Sequence, residues 1–311
     1  LNYESSFNTL PPASTGPPMG PLCGSFMMTP HPVDPITGKS LQGAPSGHAF
    51  SWLALILPYI EQGNMAELVQ PRSLTWEDMY VDHAGTTVST FSGATATGHQ
   101  RLWESDLNAF RCPSFDENPD SGAFVYNQVS PPISNVMLTN YVGIGATTLN
   151  RYHGVDDNDN PSEFSDGVLF HPEPNMPAGL KLRDIIDGTS NTVMIAETRE
   201  PDFASWWDGN TASVIGILYS STLTSGPPAT TLNRTPYLRA TPDLVRGQVM
   251  SAAGLPFDDD WQWGPSSFHP GGVNHVRGDA SVFFVPDTID IKVYTALITR
   301  AGGETVDLPQ N

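Results

Sequence analysis

Residues 266–304 read SSFHPGGVNHVRGDASVFFVPDTIDIKVYTALITRAGGE, and this segment carries the clearest structural pattern in the chain. Two runs rich in apolar and β-branched residues, Val273–Arg277 and Ser281–Val285, flank a short segment that contains Gly278. Such runs on either side of a glycine-containing turn are typical of a β-hairpin. The sequence therefore predicts two neighbouring antiparallel strands here.

A terminal helix is predicted directly after the hairpin, over Ile291–Arg300. Asp290 precedes it and can accept hydrogen bonds from the free N–H groups of the first turn. Arg300 is expected in the last turn, where a cation complements the helix dipole. Gly302 and Gly303 are expected to end the helix. Apolar residues at helical spacing predict its buried stripe: Val293, Leu297 and Ile298.

The rest of the chain predicts short elements separated by many turns. Leu1–Leu10 is interpreted as the end of a helix, and another helix is expected to begin near residues 46–48. Pro58 is expected to kink that helix or to separate it from a second one, Asn64–Val69. The apolar face of the first consists of Phe50, Leu53, Leu57 and Ile60. Strands are predicted at Tyr141–Ile144, Gly167–Phe170, Thr192–Ala196 and Val214–Leu218, with one helical turn at Leu182–Ile186.

Composition limits the fold and the partners. The 311 residues include 28 Gly and 29 Pro, which favour turns and short strands over long helices. These features predict an α+β fold with a mainly antiparallel sheet and a few short helices. A net charge of −19 argues against binding to nucleic acid, whose phosphates would be repelled, and against a basic patch for anionic lipid. No run is long and apolar enough to span a bilayer.

One acidic run is a candidate calcium site. Its members are Asp156, Asp157, Asn158, Asp159 and Asn160. Carboxylate and amide oxygens are the ligands that calcium takes in groups of about six to eight. An exposed polar turn explains the same composition, because Asp and Asn favour turns. Both interpretations stay open.

Two cysteines and a group of tryptophans are further candidates. Cys23 and Cys112 would form one disulfide in an oxidising compartment, or would remain two buried thiols. The tryptophans are candidates for a ligand face that stacks on sugars or contacts a partner protein, although tryptophan is usually buried. They are Trp206, Trp207, Trp261 and Trp263.

The C-terminal segment resembles the signature of a planctomycete family of prepilin-type proteins of unknown function. In that signature a histidine is followed, after nine residues, by Asp-Gly. His269 and Asp279 keep the spacing, and Ala280 stands where the family usually has glycine. The family's most recognisable internal motif resembles the run Asp187, Gly188, Thr189, Ser190, Asn191 and Thr192, followed by Glu197.

Other landmarks of that family resemble Arg111–Ser114 and Asn140–Gly143, in the same order along the chain. Residues 201–262 match poorly and are interpreted as a variable insert. The resemblance implies the globular head of a type IV pilin or pseudopilin. It also implies an N-terminal helix that anchors such proteins in a membrane or filament. This helix is expected to precede Leu1 in the natural protein and to be absent from this chain, so that Leu1 is not the natural start.

The motif residues have catalytic and structural interpretations. His269 and His275, with Asp279, would supply zinc ligands or an acid–base pair, but the resemblance favours a structural histidine at a glycine turn. Ser190 with Asp187 and a histidine would make a triad. A tight turn whose side chains cap the backbone explains that run better. Glu197 is either a buried ion-pair partner or a site carboxylate.

These observations favour one domain over residues 1–311, without enzymatic activity. The expected function is that of a structural pilin-like subunit at the cell surface, outside the cell or in the periplasm. It would assemble with its own copies or with other pilin-like subunits, and would contact a membrane only through the absent helix. The alternative is an extracellular carbohydrate-binding protein that uses the tryptophan-rich face. A hydrolase that uses Glu197 or His269 ranks last.

Overall fold

The structure is a computed structural model that describes residues 2–13, 51–69, 105–115, 120–121, 136–148, 151, 165–170, 179–199, 204–206, 213–218, 229–230, 232–233 and 264–304. In these ranges the α-helices are α1 (Asn2–Phe7), α2 (Trp52–Ile56), α3 (Gly63–Val69) and α4 (Ile291–Ile298). Short 3-10 turns lie at Leu57–Tyr59, Asn108–Phe110 and Leu182–Asp184. The strands are β1 (Asp120–Ser121), β2 (Val136–Met137), β3 (Tyr141–Ala146), β4 (Val193–Glu197), β5 (Ser213–Ile215), β6 (Ile217–Leu218), β7 (Ala229–Thr230), β8 (Gly272–Arg277) and β9 (Val282–Pro286).

Five of these strands form the central sheet, in the order β5-β3-β4-β8-β9. β4 pairs antiparallel with both β3 and β8, and β8 pairs antiparallel with β9. β5 lies parallel to β3. The predicted α+β class, with few short helices and a mainly antiparallel sheet, is therefore confirmed.

Helices cover both faces of this sheet. On one face α4 contributes Tyr294, Leu297 and Ile298 to a cluster with apolar residues of β3, β4, β8 and β9. On the other face α2 packs with Trp206 and Phe110 against side chains from the opposite sides of β3 and β4. Alternate residues of a strand point to opposite faces, so β3 and β4 are buried on both sides.

The terminal helix has the predicted cap but a different end. Asp290 Oδ1 accepts hydrogen bonds from the backbone N–H groups of Lys292 at 2.8 Å and Val293 at 3.4 Å. The helix ends at Ile298, so the placement of Arg300 in its last turn is wrong. The Arg300 guanidinium instead donates to the carbonyl of Gly167 at 2.7 Å, which ties the chain after α4 to a distant loop.

Two helices separated at Pro58 are present as predicted, but the first begins at Trp52, with Ser51 as its N-cap, and not near residues 46–48. Ser51 Oγ caps α2 by accepting a hydrogen bond from the Ala54 N–H at 3.2 Å. Pro58 lies in the 3-10 turn between α2 and α3, as expected from its missing N–H. Leu53 and Leu57 are buried, and Phe50 lies outside the described residues. No helix in the described ranges has the length and apolar character that crossing a lipid bilayer would need.

The segment from Gly167 to Phe170 is not the predicted strand. The N–H groups of both Val168 and Leu169 point to the same acceptor, the Ile144 carbonyl, at 3.3 Å. Two donors on one carbonyl break the alternation of a strand ladder. The segment therefore runs beside β3 as an irregular loop, although Leu169 is as deeply buried as a strand residue.

The turn between β8 and β9 explains the glycine that the resemblance places at position 280. The Ala280 N–H donates to the Arg277 carbonyl at 2.9 Å, and Ala280 has a φ of 70°. A type I turn followed by a left-handed residue is a common three-residue hairpin connection, in which glycine is preferred at the left-handed position. Alanine therefore holds a strained conformation here.

Replacement of Ala280 by glycine is expected to raise the free energy of unfolding by about 1 kcal/mol, because glycine has no Cβ to clash in the left-handed region. Denaturant unfolding of the two proteins measures the difference. Ala301→Gly is the matched control, since Ala301 is exposed and does not have a positive φ. That control should be neutral or slightly destabilising. Equal effects of both substitutions would contradict the assignment of strain to Ala280.

Candidate functional site

Three strand ends that are distant in the sequence meet at one end of the central sheet. They are the start of β3, the end of β4 and the start of β8. Tyr141 at the start of β3 lies opposite Glu197 at the end of β4. Asn274, near the start of β8, donates its backbone N–H to Glu197. Neighbouring antiparallel strands bring the end of one beside the start of the next. The loop that holds Cys112 and the turn that holds His269 lie against this same end.

Asn140 attaches the Cys112 loop to the sheet. Its Oδ1 accepts a hydrogen bond from the Cys112 N–H at 2.9 Å, and its Nδ2 donates to the Thr198 carbonyl at 3.0 Å. Its own N–H donates to the Phe110 carbonyl at 2.8 Å. Asn140 is buried, and a buried amide with these partners fixes the backbone on both sides of it. The position of the Cys112 side chain is therefore set by the sheet.

Glu197 is the central acceptor of the cluster. Its side chain is 8% exposed. Oε2 accepts the Asn274 backbone N–H at 3.0 Å, and Oε1 accepts the Asn274 side-chain amide at 3.3 Å. His269 Nε2 lies 3.2 Å from the same Oε1. A buried carboxylate needs such donors, because desolvation of an unpaired charge is costly.

Cys112 completes a compact group of three ligand-type atoms. Its Sγ lies 3.6 Å from Glu197 Oε1 and 3.7 Å from His269 Nε2. Ser114 Oγ lies 3.0 Å from the sulfur and 3.4 Å from His269 Nε2. Cys112 and Glu197 are buried, whereas the His269 side chain is 33% exposed. The cluster therefore opens to solvent on the histidine side.

This geometry differs from that of a catalytic cysteine relay. In such a relay the histidine takes the thiol proton on one ring nitrogen, and a carboxylate holds the other ring nitrogen. Here Cys112 and Glu197 both contact Nε2 of His269. One nitrogen is thus shared by the thiol and the carboxylate, and among the described residues this arrangement differs from the two-sided imidazole of a relay.

Cationic and aromatic side chains border the cluster. The Arg111 guanidinium lies 4.5 Å from the ring centroid of Phe115, and that of Arg199 lies 5.2 Å from the ring centroid of Phe268. The two rings are 5.7 Å apart. Positive charge over an aromatic face is favourable. The two arginines thus place positive charge around a site that contains a carboxylate and a thiol.

Burial is the largest cause of the pKa shifts at this site, and nearby charged groups are the second cause. Burial lowers the pKa of the Arg111 guanidinium, and the neighbouring Asp106 and Cys112 oppose that change. Burial raises the pKa of the Tyr141 phenol, and Cys112 and Glu197 raise it further. Both directions follow from the low dielectric at this end of the sheet, where a charge is costly without a partner.

The run from Asp187 to Thr192 is a turn that fastens two other segments. Gly188 has a φ of 98°, which favours glycine, and Asn191 Nδ2 donates to the Asp187 carbonyl at 3.0 Å. The Asp187 carboxylate accepts the backbone N–H groups of Gly302 at 2.6 Å and Gly303 at 2.9 Å. These side chains bond to backbone, and Ser190 is exposed beside them. The Asp187 carboxylate therefore anchors the chain after α4.

His269 and Asp279 do not form one site. They bracket β8, whose six residues span about 20 Å at the usual rise per residue. Asp279 lies in the hairpin turn, where a hydrogen bond from Ser281 lowers its pKa. His275 is buried between β8 and α4, where Nε2 contacts the Tyr294 hydroxyl at 2.9 Å. The grouping of these two histidines with Asp279 in one zinc or acid–base site is therefore wrong.

Trp206 belongs to the core rather than to an exposed ligand face. Its side chain is 0% exposed, and its indole N–H donates to the Ser105 carbonyl at 2.9 Å. The other candidates for that face lie outside the described residues, as does the candidate calcium site: Trp207, Trp261 and Trp263; Asp156, Asp157, Asn158, Asp159 and Asn160. Cys112 forms no disulfide within the described residues and Cys23 lies outside them, so their pairing stays a prediction.

Comparison with known proteins identifies a family for this chain. No curated protein and no solved structure matches this chain. Among protein families, the model described as "Protein of unknown function (DUF1559)" matches residues 1–292. This match covers most of the 311 residues, including β3, β4, β8, β9 and the whole Cys112–Glu197–His269 cluster. The chain therefore belongs to the DUF1559 family.

Proposed function

We propose that this protein is a structural, pilin-like subunit of the cell surface that assembles with copies of itself or with similar subunits. The observation that carries the proposal is the outer strand of the sheet. β9 pairs with β8 on one side, and no other described strand pairs with its second side. Such an edge offers free backbone N–H and C=O groups to another chain.

The side chains of β9 make this edge suitable for contact. Val282 is 67% exposed and Phe284 is 37% exposed, whereas Val285 faces the core. Edge strands that must stay unpaired often carry lysine, an inward-pointing charge or proline. β9 has the sequence VFFVP, with no charge and with proline only at its last position. In a chain with a net charge of −19, an uncharged apolar edge is a place where two copies can approach with little repulsion.

The use of the motif residues supports an architectural role. The carboxylate of Asp187 binds backbone, and Asn140 joins a loop to the sheet. His275 bonds inside the core. Polar groups that are consumed by internal hydrogen bonds stabilise one conformation and are not available to substrates. A scaffold built in this way suits a subunit that repeats in an assembly.

The proposal includes the location and the partners. The protein would stand at the cell surface or outside the cell, where an acidic surface aids solubility. Its partners would be other subunits, without nucleic acid. No enzymatic activity is proposed.

This function is tested by cryo-electron microscopy of native cell-surface material, with mass spectrometry of the same sample. Detection of the chain as the repeating unit of a filament or lattice is expected, and its presence only as dispersed monomers would overturn the proposal.

Replacement of Val282 by lysine is expected to remove most of the assembled material, because a lysine on the edge opposes pairing with a second chain. The exposed position makes the effect on stability small, within about 0.5 kcal/mol. The assembled fraction in surface material measures the effect. Ala109→Lys is the matched control, since Ala109 is exposed on a 3-10 turn away from the sheet edge. Normal assembly of Val282→Lys would exclude β9 as the contact.

A further inference from the structure

We propose that Cys112, Glu197 and His269 bind one zinc-type divalent metal ion through Sγ, Oε1 and Nε2. The proposal is independent of the assembly role, because it rests on the interior of a single chain. The three residues supply sulfur, carboxylate oxygen and imidazole nitrogen, which are the ligand types of zinc. They are buried or half-buried, and they come from three segments that the sheet holds in place.

The spacing of the three atoms fits a tetrahedral ion. With zinc bonds of about 2.3 Å to sulfur and about 2.0–2.2 Å to nitrogen and oxygen, two ligands at the tetrahedral angle lie roughly 3.4 Å apart, or roughly 3.6 Å where one is sulfur. The observed distances are 3.2 Å from Nε2 to Oε1, 3.6 Å from Sγ to Oε1, and 3.7 Å from Sγ to Nε2. All three edges agree with one ion to within about 0.2 Å.

His269 Nε2 has more polar neighbours than one hydrogen can serve, although the Cys112 thiol can donate to Glu197 Oε1 and the Ser114 hydroxyl can donate to the sulfur. His269 Nε2 carries at most one hydrogen, yet Glu197 Oε1, Ser114 Oγ and Cys112 Sγ all lie within 3.7 Å of it. One N–H can be directed at only one of them. A cation at the centre of the triangle would interact with the nitrogen, the oxygen and the sulfur together.

The surroundings hold these ligands in the way that metal sites require. Asn274 donates its backbone N–H to Oε2 and its side-chain amide to Oε1 of Glu197, and this fixes the carboxylate with Oε1 beside the sulfur and the imidazole. Ser114 Oγ lies beside the sulfur, and Asn140 fixes the Cys112 backbone. Hydrogen bonds of this second layer orient ligands and tune metal affinity. The exposed side of His269 leaves room for a fourth ligand such as water.

The ligand set selects the type of metal and predicts its effect. Calcium takes about six to eight oxygens, so a site with one thiolate and one imidazole excludes it and favours zinc or a similar ion. A thiolate and a carboxylate balance a divalent charge. The ion would join segments 85 and 72 residues apart in the chain, and would therefore stabilise the fold as a ligand of the native state.

Cobalt(II) is the probe that tests the proposal in the full-length protein, after chelation and under reduction. We expect one Co²⁺ per chain, a thiolate-to-cobalt charge-transfer band in the near ultraviolet, tetrahedral bands in the visible, and displacement by one equivalent of Zn²⁺. Cys112→Ser is expected to remove the charge-transfer band. The matched control Cys23→Ser should keep it.

A second variant covers the case in which Cys112→Ser does not fold. His269→Asn changes the half-exposed ligand, and we expect it to weaken Co²⁺ binding by at least about tenfold with unchanged circular dichroism. The proposal is overturned if wild type gives no charge-transfer band, if the band depends on Cys23, or if His269→Asn binds as tightly as wild type. It is also overturned if Cys112 in protein isolated without reductant is bonded to Cys23, because the sulfur cannot serve both.

Discussion

Replacement of Trp206 by alanine is expected to lower the free energy of unfolding by about 3–5 kcal/mol, as for large aromatic residues in other protein cores. Trp206 is fully buried between α2 and the sheet, with its ring 6.2 Å from that of Phe110. Removal of the indole creates a cavity and also leaves the Ser105 carbonyl without its donor. Chemical denaturation followed by circular dichroism measures the loss.

Trp206→Phe is the matched control, because it keeps an aromatic ring and loses mainly the hydrogen bond and part of the volume. Its cost should be clearly smaller than that of alanine. An alanine variant as stable as wild type would show that Trp206 is not a core residue. Loss of sugar binding in Trp206→Ala would report unfolding and not a removed contact, so a glycan test must use Trp207, Trp261 or Trp263 instead.

Local patterns were sufficient for the C-terminal part of the fold. The hairpin and α4 were predicted to within two residues, because turn chemistry, β-branched runs and the Asp290 cap act over short distances. The sequence predictions are wrong where contacts between distant parts of the chain determine the local structure. Gly167–Phe170 has strand composition but lies beside β3 as a loop. Arg300 lies beyond the end of α4, and its guanidinium bonds to the Gly167 carbonyl.

The Cys112–Glu197–His269 cluster cannot be predicted from the spacing of these residues in the sequence. Cys112, Glu197 and His269 are separated by 72 residues or more, and each alone had an ordinary structural interpretation. One usable signal was present in the predicted strands. Asn140 precedes β3, Glu197 ends β4, and antiparallel order places such positions at the same end of a sheet. That argument required the strand order, which the sequence does not specify.

Acidification from pH 7 to pH 4 is expected to lower the free energy of unfolding by about 3 kcal/mol through His275 alone. His275 is 0% exposed. The Val273 carbonyl lies 3.0 Å from Nδ1 and can only accept, so Nδ1 carries the hydrogen. Nε2 then accepts from the Tyr294 hydroxyl at 2.9 Å. A second proton on Nε2 would reverse that bond, and the Tyr294 hydroxyl hydrogen would then need another acceptor in a buried site.

The sign of the effect follows from the two states of this imidazole. Burial lowers the pKa of His275 in the folded protein from 6.5 to about 4. Between these values the unfolded chain binds a proton that the folded chain does not, so stability falls as the pH falls. The contribution is fully present above about pH 6.5, decreases by about 1.4 kcal/mol per pH unit, and levels off below about pH 4.

Two variants separate His275 from the carboxylates that titrate in the same range. His275→Gln should lose this part of the pH dependence, whereas the carboxylates act equally in both proteins and cancel in the difference. Tyr294→Phe should keep the slope at a lower stability, because burial and not the hydrogen bond is the main cause of the lowered pKa. Equal slopes for wild type and His275→Gln in denaturant titrations from pH 7 to pH 4 would place the proton uptake on other groups, and would mean that the imidazole between β8 and α4 is charged as readily in the fold as in water.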